Sequence, residues 1–134
     1  MAIATVGDTS RATLDVTTER IEAFAEVTGD TNPLHLDDAR ADASMFGGRI
    51  AHGMLSAGAV SAALADLPGE IVYLSQDVQF LKPVRPGETV SVTVTVVEDL
   101  GDDKVRVETV AETDETVLTG EAVVLSLPPA ESTD

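Results

Sequence analysis

The second half of the chain alternates apolar and polar residues in short runs. The clearest run places valine at positions 90, 92, 94 and 96, separated by Ser91, Thr93 and Thr95. Strict alternation of this kind is typical of a strand with one buried face. Similar runs cover 72–80, 105–108 and 116–127, and turn signals stand at Pro86-Gly87 and at 101–103. These runs predict an antiparallel meander.

The first half has helical spacing instead. Ile21, Phe24, Ala25 and Thr28 follow the cap candidates Thr17 and Thr18, which predicts a helix ending near Gly29. A second, brief helix is predicted to start at Asp37 or Asp38. The longest predicted helix, 51–67, is apolar on nearly all sides and rich in Ala, Gly and Ser, as expected of an enclosed helix. We therefore predict an α+β domain in which an antiparallel β-sheet wraps around one long central helix.

The chain of 134 residues is long enough for one domain. We expect a lead segment at 1–9, the domain at 10–127 and a disordered tail at 128–134, where Pro128-Pro129 precedes polar residues. The 51–67 run is short of the roughly 20 apolar residues of a membrane span. The first ten residues lack the pattern of a secretory signal. A cytoplasmic protein with no membrane partner is expected.

Charge narrows the range of partners. Lys and Arg total 8 against 24 Asp and Glu, a net charge of −16. The acids are spread along the whole chain, so we expect a solvated acidic shell suited to a salt-rich cytoplasm such as a halophile's. Nucleic acid is not expected as a partner. The chain has no cysteine, which excludes disulfides, thiol catalysis and cysteine-ligated metal.

The stretch from Gly29 to His35 is the strongest candidate for chemistry. Gly29 can end a helix in left-handed geometry, and Pro33 fixes its own backbone and restricts Asn32 before it. A loop this stiff can aim Asp30 and His35 at one point. A carboxylate beside an imidazole can bind a water and move its proton. The alternative is that Asp30 caps a turn and His35 is a hydrogen-bonded loop histidine.

Three motifs together resemble one family. They are GDTNPLH at 29–35, flanked by Phe24 and Ala41, then RIAHGML at 49–55 and VQFLKPVRPGE at 78–88. Their order and residues resemble the signature of the MaoC-like dehydratases, the type 2 enoyl-CoA hydratases, over most of the domain. The resemblance implies a hot-dog fold, a homodimer and an acyl-CoA substrate. It implies no metal and no cofactor besides the CoA that belongs to the substrate.

The resemblance also implies roles for individual residues. Asp30 and His35 match the catalytic dyad, and Asn32 matches a residue that helps to position it. Gly53 matches the backbone donor to the thioester carbonyl, and a free N–H at a helix start can stabilise the enolate-like oxygen of the reaction. Without the motif, Gly53 could equally be a glycine that permits close packing.

Further residues are candidates for binding substrate. Ser56, one turn after Gly53, is a better candidate than Ser61 for a supporting hydrogen bond, although both could be packing residues. We expect Arg49, Lys82 and Arg85 to form a basic rim for the CoA phosphates, with ordinary surface charges as the alternative. His52 is expected to cap or orient the loop rather than touch substrate.

The predicted function is that of an (R)-specific enoyl-CoA hydratase, a hydro-lyase that adds water reversibly to trans-2-enoyl-CoA. One role implied by such relatives is the supply of polyhydroxyalkanoate precursors. Alternatives are a hydratase for branched or dicarboxylic acyl-CoA of the mesaconyl type, a hot-dog thioesterase, and a noncatalytic acyl-CoA-binding subunit. Thioesterases of this fold usually carry a carboxylate in the long helix, which 53–65 lacks. A noncatalytic subunit would be expected to have lost Asp30 or His35.

Overall fold

The computed structural model, which describes residues 1–130, is built around one curled antiparallel sheet. Its strands are Thr9–Asp15 (β1), Glu70–Gln76 (β2), Gln79–Phe80 (β3), Thr89–Gly101 (β4), Lys104–Glu112 (β5) and Thr116–Leu127 (β6). They are ordered β1-β4-β5-β6-β2, and β3 also pairs with β6. The two edges of the sheet are therefore formed by β1 and β2.

Within residues 1–130, four helices accompany the sheet: Thr18–Thr28 (α1), Pro33–Leu36 (α2), Asp38–Asp42 (α3) and Gly53–Ala65 (α4). The long helix α4 packs against β1, β2, β4 and β5. Its buried side chains include Ala59, Val60, Ala63 and Leu64. The predicted arrangement of a sheet around a central helix is confirmed. The helix is shorter than 51–67 because His52 has extended backbone and Asp66 closes the carboxyl end.

The core follows the predicted alternation. The four valines at 90, 92, 94 and 96 of β4 are buried, as are Val105 and Val107 on the adjoining strand β5. Because no tryptophan is present and phenylalanine is scarce, the interior is filled by Val, Leu, Ile and Ala. Burial of these aliphatic side chains, about 1.5–3 kcal/mol for each larger one, drives the sheet to close on α4.

The amino-terminal region differs from the prediction. The strand β1 was not predicted, and it pairs with β4 in a register that begins at Thr9 opposite Thr95. The segment 1–9, predicted to precede the domain, places Ala2 and Ala4 in the core. The N–H of Ala4 donates to Ser126 Oγ at 2.8 Å. This segment therefore packs onto the domain.

The predicted strand 72–80 is broken into β2 and β3. At the break, the N–H of Asp77 donates to the carbonyl of Glu121 at 3.0 Å. The carbonyl of Asp77 occupies the space that a side chain at position 120 would need. Position 120 must therefore be glycine for the chain at Asp77 to approach β6 this closely. The short helix α2 was also not predicted. It follows directly from Asn32 and Pro33, which form its cap and first turn.

The carboxyl-terminal region is described as far as Ala130, whose N–H donates to Glu70 Oε1 at 3.0 Å. Of the predicted disordered tail 128–134, residues 131–134 lie outside the described residues. Within 1–130, no helix combines the length and apolarity that crossing a bilayer requires.

Candidate active site

The loop between α1 and α2 carries Asp30. Thr17 caps the start of α1 by accepting from the N–H of Arg20, and the helix ends at Gly29 in the left-handed region with φ of 80°. The N–H of Gly29 bonds to the carbonyl of Ala25 at 2.8 Å, which closes the helix. The chain then turns sharply, and the side chain of Asp30 emerges beside α4 rather than along α1.

Asn32 organises the next turn. Its Oδ1 accepts from the N–H of Leu34 at 3.0 Å and so caps α2, while Pro33 occupies the first helical position. The N–H of Asn32 donates to Asp30 Oδ1 at 3.4 Å. Asn32 does not line the cavity described below. The predicted positioning role fits this geometry, because Asn32 fixes the helix that carries His35.

His35 is held in one tautomer by its backbone partner. Its side chain retains only 9% exposure, and Nδ1 lies 2.8 Å from the carbonyl oxygen of Ile50. A carbonyl only accepts, so Nδ1 must carry the proton and donate it. The neutral ring then has a lone pair on Nε2. His35 is thereby prepared to accept a proton at Nε2.

His52 immediately precedes α4 and contacts both residues of the dyad, Asp30 and His35. Its ring is stacked on His35 with centroids 3.9 Å apart, and Phe24 lies on it at 4.8 Å. Its Nε2 is 2.9 Å from the backbone carbonyl oxygen of Asp30, so this ring donates through Nε2. The side chain makes no cap hydrogen bond to α4. Of the two roles predicted for His52, the structure shows orientation of the loop.

Among the described residues, Asp30, His35 and His52 form one cluster in which a carboxylate oxygen and one nitrogen of each ring lie within 4.8 Å of one another. Two groups at such a separation can share one water molecule, since each hydrogen bond spans about 2.8 Å. The predicted convergence of Asp30 and His35 across the loop is therefore observed.

Gly53 begins α4, and its N–H is one of the groups at a helix start that have no partner within the helix. The ring of Phe80 covers this point closely. A Cβ at position 53 would lie 2.7 Å from Phe80 Cε1, so the two residues approach in this way only because position 53 is glycine. The packing interpretation and the donor interpretation of Gly53 are thus compatible.

These groups meet in a cavity of about 440 Å³. Asp30, His35, His52 and Gly53 line one side of it, with buried Ser56 on α4 beside them. The remaining walls are mostly apolar and come from the loop before α4, from the first turn of α4, from β3 with the segment after it, and from β6: Phe46, Ile50, Ala51, Met54, Phe80, Leu81, Lys82, Pro83, Val84, Val117 and Leu118. A mostly apolar cleft with a few convergent polar groups is the usual form of a small-molecule site.

A second cavity of about 570 Å³ adjoins the first and shares Asp30 and Met54 with it. Its lining also includes Phe24, Ser61, Tyr73 and Val78. Tyr73 donates its hydroxyl to Gln76 Oε1. Burial raises the pKa of the Tyr73 phenol above its ordinary value, so the hydroxyl stays protonated at neutral pH. Asp30 lines both cavities.

The three predicted basic residues have different partners in the structure. Lys82 lines the first cavity and pairs with Glu115 at 3.4 Å. Arg49 instead pairs with Asp38 at 2.8 Å and with Glu22 at 3.5 Å.

Arg85 is likewise engaged within the protein. It donates to the carbonyl oxygen of Phe46 at 2.5 Å. Neither Arg49 nor Arg85 lines the cavity. Of the predicted basic rim, Lys82 lines the first cavity, and Lys82 and Arg85 together line a further cavity of about 610 Å³, whereas Arg49 lines neither.

Comparison with known proteins agrees with this geometry. The MaoC-like domain family matches residues 4–119. The chain belongs to the MaoC-like dehydratase family. Its fold is the hot-dog fold, and this MaoC-like chain is an enzyme of the hydro-lyase class, a hydratase or dehydratase.

Two curated relatives and one solved structure illustrate the similarity. The 3-hydroxybutyryl-CoA dehydratase of Methylorubrum extorquens is 42% identical over 133 residues, 96% of this chain and 84% of that protein. The (R)-specific enoyl-CoA hydratase of Rhodospirillum rubrum is 50% identical over 78 residues, 57% of this chain and 54% of the relative. The unliganded R-hydratase of Pseudomonas aeruginosa superposes with a TM-score of 0.87 at 34% identity, covering 99% of this chain and 93% of that structure.

Some lining residues of this MaoC-like site were missed by the sequence analysis. Phe80 and Leu81 lie within the VQFLKP motif, which was used for the resemblance and not for the cavity. Phe46 and Tyr73 carry no local signal, because they reach the site only through the path of the chain. His52 was placed outside the site, yet it lines the first cavity.

Proposed function

We propose that this chain is an (R)-specific enoyl-CoA hydratase, which adds water reversibly to trans-2-enoyl-CoA to give (R)-3-hydroxyacyl-CoA. The observation that carries the proposal is the meeting of Asp30, His35 and the start of α4 at Gly53 in one cavity. The names of the relatives from R. rubrum and P. aeruginosa support the (R) product. The relative from M. extorquens supports a four-carbon acyl group as the first substrate to test.

In the proposed reaction, Asp30 and His35 hold the attacking water between them. The water oxygen bonds to C3 of the enoyl group as one of its protons passes to the dyad. The π electrons move toward the thioester, and the Gly53 N–H faces the oxygen on which negative charge develops. The dyad then delivers a proton to C2. One proton leaves the water and one reaches C2, so the enzyme ends in its starting state.

The dyad geometry supports His35 as the group that takes the proton from water. The carbonyl of Ile50 holds the proton on Nδ1, which leaves Nε2 as the basic nitrogen. A carboxylate oxygen of Asp30 lies within 4.8 Å of a ring nitrogen of His35, close enough for the two residues to share a water. The addition involves no net oxidation or reduction. The proposal therefore needs no redox cofactor, and it assigns no step to a metal.

The cavities support an assignment for the parts of the substrate. The cleft with Lys82 at its rim suits the thioester and pantetheine arm, and the second, apolar cavity beyond Asp30 suits the acyl chain. The reacting carbons would then lie at the shared residue Asp30. A branched or dicarboxylic acyl-CoA of the mesaconyl type is the alternative substrate.

We further propose that the protein acts as a homodimer. The edge strand β2 exposes three successive large apolar side chains, Val72, Tyr73 and Leu74. An open strand edge of this kind favours pairing with another strand. A second copy of β2 related by a two-fold axis would extend the sheet and cover them.

The proposal also includes three points about the cell. They are a cytoplasmic location, a halophilic source and a role in polyhydroxyalkanoate supply.

One assay tests the reaction. Crotonyl-CoA and longer trans-2-enoyl-CoA substrates are incubated with the protein, while the enoyl absorbance and the free thiol are followed together. Loss of absorbance without thiol release, with (R)-3-hydroxyacyl-CoA as the product, is the expected result. Thiol release would instead support a thioesterase. No change with any substrate would support a noncatalytic acyl-CoA-binding subunit.

A further inference from the structure

His52 is the most buried polar side chain in the candidate site, with 2% exposure. Its ring lies between Phe24 of α1 and His35 of α2. It is also the residue directly before Gly53, at the start of α4. One imidazole therefore contacts the elements that carry each of the three groups assigned to the reaction.

The hydrogen bond from His52 is a partly buried, long-range attachment of the loop that carries Asp30. Its Nε2–H donates to the backbone carbonyl of Asp30 at 2.9 Å across 22 positions of sequence. The other side-chain bonds of this loop are local and exposed, at 3.2 Å from the Asp30 N–H to Thr28 Oγ1 and 3.4 Å from the Asn32 N–H to Asp30 Oδ1. Of these bonds, the one from His52 is the one that joins the loop to α4.

The other nitrogen of the ring argues that histidine is present for this bond rather than for bulk. Among residues 1–130, Nδ1 of His52 is buried and has no hydrogen-bond partner. A buried polar atom without a partner is unfavourable by about 1–3 kcal/mol. An apolar ring of similar size would pack against Phe24 and avoid this cost. Only the Nε2–H bond gives histidine an advantage here.

The ring of His52 also restrains His35, the group proposed to take the proton from water. The face of His52 lies on the His35 ring at 3.9 Å and an interplanar angle of 32°. His35 is therefore held at its edge by the carbonyl of Ile50 and at its face by His52. Restraints on two sides of a catalytic ring limit both its rotation and its tilt.

We propose that His52 is a positioning residue for the hydration reaction: through Nε2–H it holds the backbone of Asp30, and through its ring face it holds His35, both at a fixed distance from the Gly53 N–H. This inference rests on the proposed function. Misplacement of reacting groups by about 1 Å can lower turnover roughly a hundredfold. Substrate binding by the apolar walls does not depend on the bond, so the effect falls on kcat and not on KM.

A matched pair of amide variants tests the role. In His52→Gln the side-chain N–H₂ can occupy the place of Nε2 and donate to Asp30, whereas the shorter side chain of His52→Asn cannot reach it. Neither amide carries charge. We expect the Gln variant, which keeps the bond but loses the ring face, to retain a clearly higher kcat than the Asn variant, which loses both and should fall roughly tenfold to a hundredfold, with KM changed by less than about twofold in each. Equal kcat in the two variants would overturn the positioning role.

A second measurement does not depend on the variants folding. The chain has two histidines, so a protein labelled with ¹⁵N-histidine gives two imidazole spin systems. Long-range ¹H–¹⁵N correlation at neutral pH is expected to show one ring protonated on Nδ1, from His35, and one on Nε2, from His52. Two rings of the same tautomer would overturn the inference.

The two proposals fail in different ways. A wild-type protein without hydratase activity on any enoyl-CoA would overturn the proposed function, and the inference about His52 with it. An active wild type whose Asn and Gln variants are equally impaired, with equal losses of melting temperature, would overturn the positioning role alone.

Discussion

His35 donates Nδ1–H to the carbonyl oxygen of Ile50, which lies 15 positions further along the chain. This bond fixes more than a side-chain orientation. It determines which nitrogen keeps a lone pair, and therefore where a proton can be accepted. The N–H of Ile50 donates in turn to the carbonyl of Leu34 at 3.2 Å, so the two segments hold each other. The chemistry of the imidazole is thus set by a backbone contact that no local motif reveals.

The first prediction concerns the dyad. Asp30→Asn and His35→Ala should each lower hydration of crotonyl-CoA at least roughly a hundredfold, the scale that general acid–base groups contribute. Glu26→Gln removes the same charge as the first variant from an exposed position of α1 and should leave the rate unchanged. Steady-state kinetics with circular dichroism as a folding check decides the matter. Wild-type turnover in either dyad variant would refute the assignment.

The second prediction compares two glycines of α4. Gly53→Ala brings a Cβ against the Phe80 ring and should destabilise the protein by about 1–3 kcal/mol through overpacking. At Gly58 a Cβ meets no atom within 4 Å, so Gly58→Ala should stabilise the helix by about 0.5–1 kcal/mol. Denaturant unfolding measures both. The Phe80→Ala change should recover part of the loss at position 53, and no recovery would count against the contact.

The third prediction concerns the dimer. Val72→Lys and Leu74→Lys place charge on the β2 edge, where the side chains are 42% and 46% exposed, and should yield folded monomers. Val97→Lys is the control, because Val97 is 41% exposed on β4. Light scattering gives the mass of each variant. A monomeric wild type at working concentration would contradict the proposed interface.

The fourth prediction concerns salt. The net charge of −16 is spread over an exposed acidic surface, and screening reduces the mutual repulsion of these charges. The melting temperature should therefore rise between low and molar KCl. A thermal-shift series with KCl measures it directly. A constant or falling melting temperature over this range would argue against adaptation to a salt-rich cytoplasm.

The fifth prediction concerns metal ions. Asp30 and the two imidazoles lie close enough to suggest a metal site, but one nitrogen of each ring is already bonded to a backbone carbonyl. The proposed hydration assigns no step to a metal. Dialysis against EDTA should leave turnover unchanged. Loss of activity that Zn²⁺ restores would show instead that the cluster binds a catalytic ion.

The sequence predicted the elements whose pattern is strong. The alternating valines of β4 predicted its buried face, and the long apolar run of α4 predicted an enclosed helix. Thr17 and Gly29 predicted the two ends of α1 by local chemistry. The strand β1 was missed because Ala12 and Leu14 are its only packed apolar side chains, between exposed polar residues.

Long-range partners explain the other differences. The broken strand near Asp77 depends on Gly120, which is far away in sequence. The ion pairs that withdraw Arg49 from the cavity join it to residues 11 and 27 positions away. The role of His52 depends in the same way on the carbonyl of Asp30. Each residue type was visible in the sequence, whereas the distance between partners required the fold.

The placement of Tyr73 has a spectroscopic consequence. The chain contains one tyrosine and no tryptophan, so a single ring accounts for its tyrosine and tryptophan fluorescence. That ring lies on the edge strand β2 and also lines the cavity beyond Asp30. Its emission therefore reports on the surroundings of this one position without any attached dye. A titration with saturated acyl-CoA of increasing length, read by this signal, would measure the depth of the second cavity directly in solution.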